Sequence, residues 1–278
     1  MHRLNGVPVE NGATAFDLAD RGLTLGDGLF ETIAVFGGRP ALLDAHLDRL
    51  ATAAAEIRLP VDRGFLEAEV AALAQGAADV VVRLTVTRGA GARGLAFPGD
   101  PTPTVIASSS PYPAGALFSA VRLAQASIRR NPTSFASRAK TLCYLDNVMA
   151  FDEARMAGAD DALMLNVAGR VGSTAMANLF AILDDELVTP PLSEGILPGI
   201  IRAAALEVAP TVGLEPVERP LTVEELMRAD AAFATNSVRL VMQVKAVDGA
   251  AISRAAGDVS SCSAASRPVC TTSAKAMR

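Results

Sequence analysis

The stretch ASRAKTLCYLDNVMAFDEAR, residues 136–155, sets Lys140 immediately before an apolar run that continues with helical spacing. The chain has 25 Lys plus Arg, and only Lys140, Lys245 and Lys275 are lysines. Where positive charge alone is needed this sequence uses arginine, so Lys140 asks for a reason specific to a primary amine. At a strand-to-helix junction the amine could project into a pocket. Burial would bring its pKa down from roughly 10.4 toward neutrality and make it a nucleophile able to form an imine with a carbonyl. A solvated loop lysine fits the same letters.

Working outward, RLNGVPVENG reads as two short strands around an Asn5-Gly6 turn, and LFETIAVFGGRPAL as a hairpin of strands 29–36 and 39–43 turning at Gly37-Gly38. LLDAHLDRLATAAAEIRL switches to helical period, with Leu43, Leu47, Leu50 and Ala54 on one face and Asp44 as N-cap candidate. A second helix over about 63–75 leads into the strand DVVVRLTVTRG. The Ser/Pro/Gly-rich SSSPYPAGAL breaks both periods and predicts a linker. Beyond it the pattern predicts strands at 120–127, 161–166, 176–183 and 186–189, and a helix over 143–157 that stops at Gly158. Further helices open at Pro198 or Gly199 and behind Thr222, and AAFATNSVRLVMQVKAVDG supplies the last strands. The expected organisation is a domain over 1–107, a linker over 108–119, a second domain over 120–252 and a poorly ordered Ser/Ala-rich tail over 253–278.

Composition excludes several classes. Hydrophobic residues make up 50% of the chain but aromatics only 4%, so the core is expected to be aliphatic. A net charge of −5 without a basic stripe argues against nucleic acid and anionic membrane surfaces. No apolar stretch reaches the roughly 18 residues of a membrane span, and MHRLNGVPVENG lacks a signal pattern, so a cytoplasmic protein is expected. Cys143, Cys262 and Cys270 give neither metal spacing nor a disulfide framework. His2 and His46 are the only histidines, too few for a histidine metal site, and no metal is expected.

VTRGAGARG contains G-x-G-x-x-G at Gly89, Gly91 and Gly94 after a strand, but the following LAFPGDPTPT is proline-broken and cannot open a dinucleotide-binding helix. What remains is a loop carrying Arg88 and Arg93, whose guanidinium groups suit a substrate carboxylate. GILPGIIR places Gly195 and Gly199 around a helix start whose free amides suit a phosphate or simply cap the helix. ATNSV adds hydroxyl and amide donors, or is merely a turn. Arg49 in HLDRL reads equally as a solvated helix face.

Together RGLTLGDGLFETI (21–33), HLDRL (46–50), RGAGARG (88–94), AKTLCYLDNVMA (139–150), ANLF (177–180), LPGIIR (197–202) and TNS (235–237) occur in an order and spacing that resembles the fold-type-IV pyridoxal-phosphate enzymes, or class IV aminotransferases. That class includes D-amino-acid and branched-chain aminotransferases and 4-amino-4-deoxychorismate lyase, and the resemblance covers about residues 3 to 250. It implies an α/β (α+β) fold with a smaller N-terminal α/β domain, a larger C-terminal pseudo-barrel domain and the cofactor, pyridoxal 5'-phosphate, in the cleft between them. It also implies that Lys140 holds the cofactor aldehyde as an aldimine and later shuttles the substrate proton. Arg49, the amides of Ile200 and Ile201, and Asn236 with Ser237 would hold the cofactor phosphate. Arg93 would meet the substrate carboxylate, and Phe30 and Tyr144 would line the pocket. An aminotransferase acting on an amino acid and a keto acid, assembled as a homodimer, is the first expectation. The lyase is the second, and a non-catalytic cofactor-binding relative the third.

One position departs from the pattern. The family usually places a glutamate two residues after the valine of GRV, against the pyridine nitrogen, and here Ser173 stands there. Serine can hydrogen-bond that nitrogen but cannot balance a positive charge, so a weaker electron sink is expected.

Overall fold

The computed structural model describes residues 1–76 and 78–252, so the expected tail, with Cys262, Cys270 and Lys275, lies outside the described residues. The chain divides into two compact units, one of Met1–Pro113 with Ala139–Cys143 and one of Ala114–Arg138 with Tyr144 onward.

The first unit contains β1 (His2–Leu4), β2 (Val7–Val9), α1 (Arg21–Leu25), β3 (Gly28–Phe36), β4 (Arg39–Pro40), α2 (Leu43–Glu56), α3 (Arg63–Ala74), β5 (Val80–Thr87) and β6 (Thr104–Pro111). Its strands form one antiparallel sheet in the order β2-β1-β6-β5-β3-β4. Both expected tight turns form, with left-handed pairs at Asn5-Gly6 (φ 48 and 86) and Gly37-Gly38 (φ 55 and 78) that match the twist of a two-residue hairpin. Period-2 burial in β5, where Val82, Leu84 and Val86 are covered and Arg83 is exposed, gives the sheet an apolar face. Leu47, Leu50 and Ala54 of α2 and Leu66, Val70 and Leu73 of α3 are buried with it.

The differences here have local causes. The strand expected to reach residue 43 stops at Pro40, because Leu42 turns left-handed (φ 51) and becomes the N-cap of α2. Asp44 is therefore not the cap. It lies in the first turn, where its charge favours the positive helix end, and pairs with Arg63 at 2.7 Å. The expected linker becomes a loop four residues late: Ser108–Pro111 still pair with β5 as the end of β6.

The second unit contains β7 (Val121–Gln125), α4 (Phe135–Arg138), α5 (Leu145–Met156), β8 (Asp161–Leu165), β9 (Val171–Thr174), β10 (Asn178–Leu183), β11 (Glu186–Thr189), α6 (Ile200–Val208), β12 (Glu215–Glu218), α7 (Val223–Arg228), β13 (Ala231–Asn236), β14 (Leu240–Val247) and β15 (Ala250–Ala251). The order β10-β13-β14-β7-β8-β9 returns to β10 through the Ser173–Asn178 pair, so six strands close into a barrel. Closure removes the free edges an open sheet would leave. Leu123, Leu163, Leu165, Val171, Leu179, Ala232, Ala234, Met242 and Val244 make one buried cluster, an aliphatic core as the composition requires. Outside it, Ala150 and Ala154 let α5 lie close on Ala162 and Met164. Ala205 of α6 packs with Phe180 and Phe233, whose rings stack at 4.9 Å because they face each other in the β10–β13 register.

β9 had no counterpart among the expected strands, since VGST shows no apolar alternation. Its pairing skips a residue: Val171 faces Leu165 and Ser173 faces Met164, which places a bulge at Gly172. The bulge shifts side-chain parity, so Ser173 points with Met164 rather than with Val171.

Leu163 is fully buried in the barrel cluster. Leu163→Ala should lower unfolding free energy by about 2–5 kcal/mol, read as a lower urea midpoint at unchanged slope.

Candidate active site

Glu31 is the one charged residue in the nine-residue strand GLFETIAVF, and it is 1% exposed. It alternates with Phe30, so the two side chains leave opposite faces of β3. On the helix side Glu31 accepts from Arg49 twice, Nε at 2.7 Å to Oε1 and Nη2 at 2.6 Å to Oε2, and meets His46 Nδ1 at 2.7 Å. His46 and Arg49 are three residues apart on α2, which brings both to one carboxylate. Burial alone would raise the Glu31 carboxyl, but the His46 hydrogen bond and the Arg49 charge outweigh it and hold it at about 2. Burial lowers His46, with the Glu31 contact opposing, so the neutral ring donates from Nδ1.

On the other face, residues 140–142 run beside the start of β3. Phe30 N donates to Lys140 O at 2.9 Å and Leu142 N to Gly28 O at 3.0 Å. β5 holds one edge of β3 along its length, so this strap takes the opposite edge. Gly28 is required there, since an added Cβ would lie 2.8 Å from the Leu142 side chain and 2.6 Å from Val86 O. Lys140 Nζ stands 4.2 Å from the centre of the Phe30 ring and the Arg83 guanidinium 3.8 Å from it, both in cation–π range. Lys140 is half-buried, with its amine over the Phe30 ring. Burial, opposed by Glu31 and assisted by the charges of Arg49 and Arg83, brings it down to about 8. A solvated loop lysine is thereby excluded, as is a solvated Arg49.

The 88–97 loop behaves otherwise than expected. Arg88 is 1% exposed and donates to Asp27 (2.8 Å) and to the carbonyls of Arg58 (2.9 Å) and Ile57 (2.8 Å) at the end of α2. It caps a helix and is not available to a carboxylate. Arg93 is exposed on the loop. Arg21, which the sequence reading did not single out, is 4% exposed and donates to Asp27 (2.8 Å) and to the carbonyls of Gly94 (3.1 Å), Leu95 (3.4 Å) and Ala96 (3.2 Å). Burial raises the Asp27 carboxyl, but the two arginines outweigh it and leave it below its usual range.

In the second unit, several other candidates share one end of the barrel. Ser173 pairs with Asn178, and Asn178 with Thr235. Asn178 Nδ2 donates to Leu197 O (2.9 Å), just ahead of α6, and an added Cβ on its N-cap Gly199 would lie 2.0 Å from Asn178 Oδ1. The Ile200 and Ile201 amides, in the first turn of the nine-residue α6, therefore start beside β10. Asn236 Oδ1 accepts from Val238 N (3.0 Å) and Arg239 N (2.8 Å), forming the turn that contains Ser237. Ser173 is buried and its hydroxyl donates to Thr174 O at 2.8 Å. Tyr144 is the N-cap residue of α5, whose Asn147 donates to Ala175 O at 2.7 Å. In the same unit, burial raises the Asp161 carboxyl to about 6, against hydrogen bonds from Thr174, Ala162 and Ala175. Thr235 Oγ1, and in the first unit Thr141 Oγ1 beside Lys140, are buried without a hydrogen-bond partner. Among the described residues no His, Cys, Asp and Glu cluster could hold a metal ion, and no helix is long and apolar enough to cross a membrane.

Two measurements follow from these groups. Glu31 has a depressed carboxyl, so its contribution is present above its ordinary value of 4.5 and lost as pH falls toward about 2, amounting to about 3 kcal/mol. Urea titrations from pH 6 to pH 2 should show that loss in the wild type and its absence in Glu31→Gln. For the cofactor-free protein, labelling of Lys140 by an aldehyde reagent should reach half its maximal rate near pH 8, because the free amine increases as pH rises through that value. At neutral pH about a tenth of it is unprotonated, against roughly three in ten thousand for an ordinary lysine.

The sequence model of amino-transferase class IV matches residues 28–247. A D-alanine aminotransferase of Bacillus licheniformis is 32% identical over 256 residues, covering 89% of this chain and 88% of that one. The crystal structure of 4-amino-4-deoxychorismate lyase from Pseudomonas aeruginosa superposes with a TM-score of 0.81 at 36% identity, covering 90% of this chain and 93% of that chain. A hypothetical aminotransferase from Mycobacterium tuberculosis in its PLP-bound form gives a TM-score of 0.86 at 26% identity, covering 100% and 98%.

Proposed function

The chain belongs to the class IV aminotransferase family, and from that membership we propose that it is a pyridoxal 5'-phosphate-dependent aminotransferase moving an amino group between an amino acid and a 2-keto acid. The observation that carries the reading is the Lys140 amine, brought down to about 8 and set on the Phe30 ring.

The residues present fit the cofactor. Lys140 supplies the primary amine an aldehyde requires, and Arg49 a guanidinium held rigid by Glu31 for the phosphate. The amides of Ile200 and Ile201 are unpaired by position at a helix start, Asn236 and Ser237 lie in a donor-bearing turn, and the buried Thr235 hydroxyl lacks a partner. When bound, the cofactor supplies an aldehyde that condenses with amines and a ring that withdraws electrons from the substrate α-carbon.

The chain's own groups do the rest. Lys140 would hold and release the proton of the substrate α-carbon, a task suited to a base whose pKa lies near the working pH. Phe30 and Tyr144 shape the pocket, and Arg93 takes the substrate carboxylate, with the site completed in a homodimer. Ser173 would be the residue nearest the ring nitrogen, and its hydroxyl proton is already given to Thr174 O. It could accept a hydrogen bond there but would add no negative charge, so it would favour a protonated ring less than a glutamate would.

The second reading, 4-amino-4-deoxychorismate lyase eliminating pyruvate, uses the same lysine and is supported by the likeness to the Pseudomonas aeruginosa enzyme. Only the transferase needs a keto acid as second substrate. A panel of D- and L-amino acids with 2-keto acids, followed through the cofactor spectrum, should therefore show amino-group exchange, whereas pyruvate release from a single substrate would establish the lyase.

Borohydride reduction of the holoenzyme followed by peptide mapping should place the adduct on Lys140; a label on Lys245 or Lys275 would sink the assignment. Ser173→Glu should accelerate the half-reaction, by tenfold for each 1.4 kcal/mol of added stabilisation, and shift the cofactor absorbance. An unchanged rate and spectrum would remove Ser173 from the ring nitrogen.

A further inference from the structure

The loop 89–97 offers little of its own to fix its shape. Leu95 is 83% exposed and Phe97 43% exposed, and Gly89, Gly91 and Gly94 remove side chains that could anchor it. A loop of this composition would ordinarily leave its carbonyls to water. Instead a buried guanidinium reaches three successive carbonyls, at Gly94, Leu95 and Ala96. Its Nε is fixed by Asp27 at 2.8 Å. Arg21 N also donates to Gly89 O (2.9 Å), and Gly91 N to Ala19 O (3.3 Å), so the loop is tied at its root and again at its far side. Gly91 leaves room for the Arg21 side chain, since a Cβ there would lie 2.9 Å from Arg21 Cδ, and Gly89 is needed against Thr102 O, 1.8 Å from an added Cβ. Phe97 closes the arrangement, its ring 3.8 Å from the Arg88 guanidinium and 6.0 Å from that of Arg21.

Arg93 is exposed, immediately before the three captured carbonyls, and is the charged side chain of the segment between Gly91 and Phe97. We propose that Arg21 is a positioning residue for substrate recognition: by clamping the main chain of residues 94–96 against Asp27 it sets the direction of Arg93 and so the fit of the substrate carboxylate. This rests on the reading of Arg93 given above. A planar fork suits the task and an ammonium does not, since one point charge cannot reach three carbonyls and a carboxylate with fixed geometry. Arg21 acts through the loop, its donors being taken up by Asp27 and the 94–96 carbonyls.

The clamp and the carboxylate role are tested separately. Trypsin cuts after Arg93 only if the segment can leave its bound shape, so Arg21→Met and Arg21→Lys should each raise the cleavage rate at Arg93–Gly94 about tenfold or more over the wild type. Equal rates would overturn the clamp. In steady state, both variants should raise KM for an α-amino acid about tenfold, with kcat within about threefold, while kcat/KM for the corresponding amine lacking a carboxylate stays unchanged. Cofactor Kd, measured by fluorescence titration, should also stay unchanged. Equal losses on both substrates, or a parallel loss of cofactor affinity, would mean that Arg21 serves the fold alone and would overturn the proposal. If the wild type converts no amino acid at all, the aminotransferase reading fails and the carboxylate role with it, while the proteolysis ratio still decides the clamp. Arg21→Lys keeps the charge beside Asp27, so it remains informative should Arg21→Met fail to fold.

Discussion

A single carboxylate, Glu31, is the constraint from which the first unit takes its chemistry. It is almost fully buried and accepts three contacts from two side chains of one helix turn. A buried charge without such partners would be neutralised or would unfold its surroundings. With them it fixes α2 against β3 and aims Arg49. It also tempers the loss of charge at Lys140, which burial and two arginines would otherwise push lower still. The amine is thus left between ordinary lysine and full neutrality, where it can both hold and release a proton.

The same logic is repeated at Asp27 with different parts. There the carboxylate serves Arg21 and Arg88, and each arginine spends its remaining donors on backbone carbonyls, one set on a loop and the other on the C-terminus of α2. Loops rich in glycine cannot be ordered by apolar burial, so the structure orders this one by charge-assisted hydrogen bonds. The helix that bears Arg49 is consequently held at one turn by Glu31 and at its end by Arg88.

Much of this was legible in the residues. Two-residue turns announce themselves by Asn-Gly and Gly-Gly, α2 by its apolar period, and Lys140 as a candidate by the rarity of lysine. What was not legible depends on partners distant in sequence. Glu31 reads as one acid in a strand until the β3 face and the α2 face are brought together. Arg88 and Arg93 look alike in RGAGARG, yet one caps a helix and the other lies exposed, a distinction that the end of β5 makes and the motif does not. The short strand β9 escaped notice because its residues neither alternate nor run apolar, and because a bulge interrupts its register. A sole acid inside an apolar strand and an arginine beside a GDG turn were the signals available for Glu31 and Arg21.

The pairing of β3 with β5 is unbroken from Gly28–Thr87 to Val35–Val80. Because successive side chains of a strand leave opposite faces, a slip of one residue would exchange the surroundings of Phe30 and Glu31. The carboxylate would be turned away from His46 and Arg49, and a phenyl ring pressed among them. The electrical character of the site is in this sense an odd-or-even property of one strand, safeguarded by every hydrogen bond that keeps the two strands in step.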